Sequence, residues 1–170
     1  GGLWVEREGV LNMTQDYISC IRSKVGHDKV ILTFAGGILT DKDGRVLLQL
    51  RGDKKTWAIP GGTMELGEST LDTAKREFFE ETGIKVQATR FLNVYSNFEE
   101  VYPNGDKVQT VVFIYELAAV SPVNIANFHN EETLHLRFFS KEEIEKLDSV
   151  SDKHRLMLTE YFADSFALGH

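Results

Sequence analysis

The sequence predicts an α/β sandwich built on a mixed, partly antiparallel sheet. Three observations point there. Apolar runs of strand length are interleaved with a few separated amphipathic helices, as in folds that lay helices on a sheet. The run at residues 29–40, KVILTFAGGILT, lacks polar–apolar alternation and reads as a strand buried on both faces. Asp43-Gly44 and Asn104-Gly105 each sit between apolar runs as hairpin turn signals, so part of the sheet is antiparallel.

Length and composition bound the answer. The 170 residues suit one domain with a sizeable core, and 42% hydrophobic residues is an ordinary globular value. Net charge is −7 with no basic patch, which argues against duplex nucleic acid as a partner. Cys20 is the only cysteine, so no intramolecular disulfide forms; a reducing, cytoplasmic setting is expected. No apolar run reaches membrane-spanning length and no signal-peptide pattern is present, so no membrane partner is expected.

Taken in order, residues 1–12 read as a tag, a leader or a disordered N-terminus, and residues 13–170 as the domain. The chain opens Gly-Gly, Met13 offers an internal start, and codons for Arg7, Glu8 and Gly9 can be purine-rich like a ribosome-binding site. Residues 14–24 form a short amphipathic helix with a stripe of Tyr17, Ile18, Ile21 and Val25, stopped by Gly26. Cys20 lies on it as a small packing residue. Within residues 29–40, Gly36 and Gly37 mark a bulge or a close backbone approach, such as to a substrate. Residues 45–51 are the return strand, followed by a charged loop with Arg51, Lys54 and Lys55.

The stretch 61–84, GGTMELGESTLDTAKREFFEETGI, organises the rest. Ser69 caps a helix with Asp72 completing a capping box, and Gly83 ends it in a left-handed turn. Leu71, Ala74 and Phe78 form an inward stripe. Glu77, Glu80 and Glu81 stand at i, i+3 and i+4 on another face. Such carboxylates repel by roughly 0.2–0.5 kcal/mol per pair, and a divalent cation reverses the sign. Hard oxygen donors suit Mg²⁺ or Mn²⁺.

Beyond it, residues 85–96 read as a strand, 97–107 as a polar loop, 108–120 as a central strand, 121–132 as a loop and 134–139 as a last strand. Ser140 caps a helix over 141–147 with Glu143 in its capping box. A final helix runs from Ser151 or Asp152 to about residue 167, with Leu158, Tyr161, Phe162, Ser165 and Phe166 inward.

Residues 62–84 resemble the Nudix (MutT-like) box, G-x5-E-x7-R-E-U-x-E-E-x-G-U with U a bulky apolar residue. Gly62, Glu68, Arg76, Glu77, Glu80, Glu81, Gly83 and Ile84 match at the required spacing; Phe78 stands where an aliphatic residue is more usual. The resemblance implies a Nudix-type α/β/α sandwich and metal-dependent hydrolysis of a nucleoside diphosphate linked to another moiety. It implies metal ligation by Glu77, Glu80, Glu81 and the Gly61 carbonyl, with Glu68 acting through a water or a neighbouring ligand. Arg76 is expected to orient the carboxylates. The general base is a box glutamate, Glu80 first, or a loop glutamate; Glu132 leads the loop candidates, with Glu131 next to it and Glu99 and Glu100 weaker. Trp57, Tyr95, Phe98, Tyr102 and Phe128 are candidate walls for a base, and Arg51, Lys54 and Lys55 could reach an outer phosphate. The partner is a small nucleotide-type molecule, and a homodimer stays open. A Nudix-fold sensing domain without turnover is the alternative, although all box glutamates are present. Isomerisation of an isoprenoid diphosphate would need an active-site cysteine, and Cys20 is out of place for that.

Overall fold

The computed structural model describes residues 4–7, 10–13 and 16–170. Strands β1 (Trp4–Arg7) and β2 (Val10–Met13) pair antiparallel as a sheet of their own. Part of the segment expected to be leader or disordered therefore pairs with itself, and among the described residues no strand pairing joins it to the other two sheets. The expected helix start at Thr14 lies outside the described residues. Helix α1 (Tyr17–Val25) is capped by Asp16 and stopped at Gly26, whose φ is +64°. Its expected inner stripe is not buried; α1 sits at the periphery, tied by the Tyr17 N–H to Glu65 Oε2 at 2.9 Å and by Arg22 to the Lys107 carbonyl at 2.7 Å.

The domain is built on two sheets. One has the order β6 (Gly61–Thr63), β3 (Val30–Leu39), β8 (Lys107–Ala119), β7 (Val86–Val101). Only β3 and β8 pair parallel, so the sheet is mixed and partly antiparallel as expected. The second, antiparallel sheet has the order β5 (Trp57–Ala58), β4 (Val46–Arg51), β9 (Thr133–Phe139). The Asp43-Gly44 turn is therefore not a true hairpin: after a single bridge between Thr40 and Val46, its strands enter different sheets.

Burial on both faces explains the unalternating runs. On β4, Val46 and Leu48 join one core and Leu47 the other; on β3, Ile38 and Leu39 divide the same way. The first core gathers Tyr95, Ile114 and Phe139 with Ile144, Met157 and Leu158 from helices α3 (Lys141–Glu145) and α4 (Asp152–Ala163). The second gathers Leu117, Ile84 and Val86 around Phe78 of helix α2 (Thr70–Thr82). Gly36 packs where a β-carbon would strike the Pro60 carbonyl and the Gly61 backbone, so the close approach is between β3 and β6.

Three boundaries differ from expectation. Strand β7 runs on to Val101, and the turn is confined to residues 102–106, where the Tyr102 N–H donates to the Asp106 carbonyl at 2.9 Å. The polar stretch 97–101 is a strand because its backbone pairs with β8 while Glu99 and Val101 face solvent. Helix α4 ends at Ala163 because Asp164 takes a left-handed φ of +46°. Residues 167–170 then return along the outer edge of β7: His170 donates to the Val94 carbonyl at 2.9 Å, and Ser96 donates to the His170 carbonyl. Finally, α3 closes at Glu145 rather than Leu147.

Candidate active site

Helix α2 carries Arg76 and the three glutamates Glu77, Glu80 and Glu81, and its caps form as read: Ser69 and Asp72 make the reciprocal capping box and Gly83 adopts φ +73°. Its inward stripe differs. Ala74 and Phe78 are buried, but Leu71 is 37% exposed, and Thr73, Thr82, Glu77 and Glu81 are buried in its stead. At about 100° per residue, Glu81 lies about 40° from Glu77 toward Phe78, while Glu80 lies about 60° to the other side. The three glutamates therefore divide: Glu77 is 6% exposed and Glu81 2%, whereas Glu80 turns outward.

Arg76 holds the solvent side of this helix together. Its guanidinium grips Glu68 through two bonds, Nε to Oε2 at 2.6 Å and Nη2 to Oε1 at 2.9 Å. Nη1 donates to Glu77 Oε1 at 2.7 Å and more loosely to Glu80 Oε2 at 3.3 Å, and Nη2 donates to the Thr63 carbonyl at 3.0 Å. Burial works to raise the Glu68 pKa, but the bonds from Arg76 and from the Glu65 N–H outweigh it and the carboxyl sits below its ordinary range. The same bond to Glu68 raises the Arg76 pKa.

Glu77 and Glu81 have the opposite electrostatics. Burial pushes Glu77 up despite the Arg76 bond, with Glu80 and Glu132 adding like charge. Burial and the neighbouring Glu77 hold Glu81 well above the carboxylate range, against the pull of Arg51 and of the Gly61 N–H, which donates to Glu81 Oε2 at 2.9 Å. Gly62 is a glycine for a local reason: a β-carbon there would collide with the Glu77 carboxyl group. At Gly61 the missing β-carbon makes room for Ala35 and Gly36 of β3.

Glu132 reaches the same point from the loop before β9. One carboxylate oxygen each from Glu77, Glu81 and Glu132 lies within 4.8 Å of the others. The reach comes from Asn130. Its Oδ1 accepts from the N–H groups of Glu132 and Thr133, both at 2.9 Å, and its Nδ2 donates to the Glu80 carbonyl at 2.9 Å. Thr133 Oγ1 donates to the Glu81 carbonyl at 2.9 Å. Carbonyls that end helix α2 without an intrahelical partner thus clamp the loop onto the helix. Three carboxylates, two of them buried and one of these, Glu77, shared with Arg76, make a hard oxygen set that fits Mg²⁺ or Mn²⁺.

These groups line one end of a cavity of about 390 Å³. Arg51, Lys54, Tyr102 and Glu131 line it as well, along with Phe34, Val112 and Ile114. Lys55 does not, and four of the five expected aromatic walls pack elsewhere. Trp57 meets Phe139 edge-on at 4.8 Å in the core, Tyr95 bonds Glu160 at 2.6 Å, Phe98 packs on the first core and Phe128 on the second. Glu99 pairs with Lys29, away from the cavity. Glu100 lines it but is engaged: burial opposes its ionisation, yet Lys153, Tyr102 and Lys54 bring its pKa down to about 2. Cys20 is outside the lining. The sequence reading missed Phe34, Lys153 and His154; no motif marks them, and the last two meet their partners only across the fold, Lys153 with Glu100 of β7 and His154 with the Ile59 N–H.

Comparison with known proteins gives the family and the fold. A family model described as NUDIX domain matches residues 33–161. A MutT-like protein of Streptomyces ambofaciens is 43% identical over 61 residues, 36% of this chain and 40% of that protein. An ADP-ribose pyrophosphatase of Methanocaldococcus jannaschii is 33% identical over 116 residues, 64% of this chain and 68% of that protein. The first of these relatives is thus matched over less than half of its length. Among solved structures, a NUDIX hydrolase from Nitrosomonas europaea superposes with a TM-score of 0.66 at 21% identity, covering 99% of this chain and 92% of its own, which speaks to the fold. A MutT protein from Methanosarcina mazei gives 0.64 at 22% identity, covering 81% and 96%. With residues 33–161, most of its length, matched by the family model, this chain belongs to the Nudix family.

Proposed function

We propose that this protein hydrolyses a phosphoanhydride bond in a nucleoside diphosphate linked to a second moiety. The observation that carries the reading is the meeting of Glu77, Glu81 and Glu132 at one end of the cavity, two of them buried with raised pKa values. The names of the relatives, ADP-ribose pyrophosphatase among them, support the reaction class.

In this reading Glu77 and Glu81 hold Mg²⁺ or Mn²⁺, with the Gly61 carbonyl and Glu80 as further donors by their box positions. A bound divalent cation would neutralise diphosphate charge and acidify the attacking water. Glu132, the most exposed of the three clustered carboxylates, takes the proton from that water. Arg76 orients Glu77 and, through Glu68, fixes the loop that leads into the helix. Arg51 and Lys54 face the cavity and would meet the outer phosphate. The single cysteine favours a cytoplasmic setting, and sedimentation decides between monomer and homodimer.

A phosphate-release screen across nucleoside diphosphate sugars, dinucleoside polyphosphates, oxidised nucleotides and capped RNA ends, in Mg²⁺ and then Mn²⁺, tests the proposal. Turnover of at least one class, abolished by EDTA, is expected. Absence of turnover throughout, with metal still bound, would turn the reading toward a sensing domain.

A further inference from the structure

The first turn of α4 also lines the cavity, through Ser151, Lys153 and His154. We infer that His154 is a specificity-determining residue, donating a hydrogen bond from Nε2 to an acceptor on the uncharged part of the substrate, such as a keto oxygen or ring nitrogen of a base. The inference rests on the reaction proposed above and assigns one residue to its substrate choice.

The tautomer follows from a backbone contact. The Ile59 N–H donates to His154 Nδ1 at 3.1 Å, so Nδ1 is the acceptor nitrogen and the ring proton is on Nε2. Among the described residues Nε2 has no hydrogen-bond partner, and the ring lines the cavity. Ser151 Oγ accepts from the His154 N–H at 3.3 Å and fixes the turn that carries the ring. One short segment bonds both groups: Ile59 donates to His154, and two residues on, Gly61 donates to Glu81.

The ring stays uncharged. Burial, with Lys153, Arg51 and Lys54 nearby and only Glu100 opposing, pushes its pKa down to about 3. The cations are themselves engaged, Lys153 with Glu100 at 3.0 Å and Arg51 with Asp53 at 3.0 Å. Phe34, Ala58, Val112 and Ile114 supply apolar walls at this cavity. An uncharged donor beside apolar walls favours a flat, neutral group that carries acceptors over a further phosphate.

The test compares His154→Phe and His154→Gln with the wild type on nucleoside-diphosphate-linked substrates and on a ribosyl diphosphate that lacks a base. His154→Phe should lower kcat/KM about 5- to 10-fold on base-bearing substrates, through KM, and leave the base-free substrate unchanged. His154→Gln, which can both accept from Ile59 and donate, should recover part of the loss and shows that the fold tolerates change there. Equal effects with and without a base would overturn the inference. Nitrogen-15 NMR of labelled histidine gives a readout independent of turnover: Nε2 should be the protonated nitrogen at pH 6–8, without titration near pH 6.5. The opposite tautomer, or a titration there, would also overturn it. If the wild type hydrolyses none of the substrates, the proposed reaction falls and the Nε2 resonance decides on binding alone: a shift on adding ADP or GDP supports the role, and an unmoved resonance removes it.

Discussion

Two sets of carboxylates on one loop and helix behave in opposite ways. Glu68 is gripped by Arg76, and its pKa is lowered. Glu81, in the same box, is buried against Glu77 and Glu132 with only a backbone N–H in direct contact, and its pKa is raised well above the ordinary value. The first is a finished interaction that stabilises the loop. The second is an electrostatic deficit, which the divalent cation proposed above would relieve. A row of acidic residues therefore carries no single meaning; the partner each one meets decides it.

The largest expected effect tests that deficit at its functional end. Glu132→Gln should lower kcat by about 10²–10⁴-fold, the usual contribution of a general base. If metal affinity falls instead, measured by calorimetry, Glu132 is a ligand and the base lies elsewhere. Gly62→Ala comes next. Its β-carbon displaces the end of a flexible side chain, so the protein should fold while Mg²⁺ no longer raises its melting temperature; in the wild type a hundredfold excess over Kd should add about 2.7 kcal/mol.

Two substitutions should then move metal-free stability in opposite directions. Glu68→Gln leaves Arg76 short of its main partner and should cost about 1–3 kcal/mol. Glu81→Gln in EDTA at pH 8 should stabilise, by about 1 kcal/mol, because it removes a buried like charge. Urea titrations in EDTA read both, and the same sign for both would break the comparison.

The pH dependence follows from the same groups. Glu77 and Glu81 have folded pKa values above their unfolded ones, so their contribution to metal-free stability is present below the unfolded pKa and is lost as pH rises through the folded values. Bound metal needs them ionised. The melting-temperature difference between Mg²⁺ and EDTA should therefore widen as pH rises from 5 to 8, and a flat difference would remove these two from the ligand set. The smallest effect is expected from deleting residues 1–12. Among the described residues their strands pair with each other and with no other strand, so stability and kcat/KM should hold within error; a clear loss would make that hairpin part of the domain or of an interface.

What the sequence could show followed from local chemistry. Ser69, Asp72 and Gly83 announce their helix because caps are read within four residues, and the box spacing is likewise a local pattern. Features that depend on distant contacts were harder to read. Residues 97–101 looked like a loop because their pairing partners lie beyond the turn, and the division of β3 and β4 between two sheets follows from cores the chain closes elsewhere. Glu132 was nameable as a candidate, but its approach to Glu77 depends on Asn130 capping a helix end fifty residues earlier in the chain. His154 carries no signal at all, since a lone histidine on a helix gains its meaning only from the Ile59 N–H across the fold.

The return of residues 167–170 along β7 has a consequence for colloidal behaviour. β7 is the last strand of its sheet, and a bare last strand offers a template to strands of other molecules. His170 and Ser96 use backbone groups of that margin within the molecule, while the His170 ring stacks on Tyr95 at 5.2 Å and its Nε2 meets Glu160 at 3.0 Å. A few residues with no part in the cavity thus occupy backbone groups on that rim that a strand of another molecule would otherwise use.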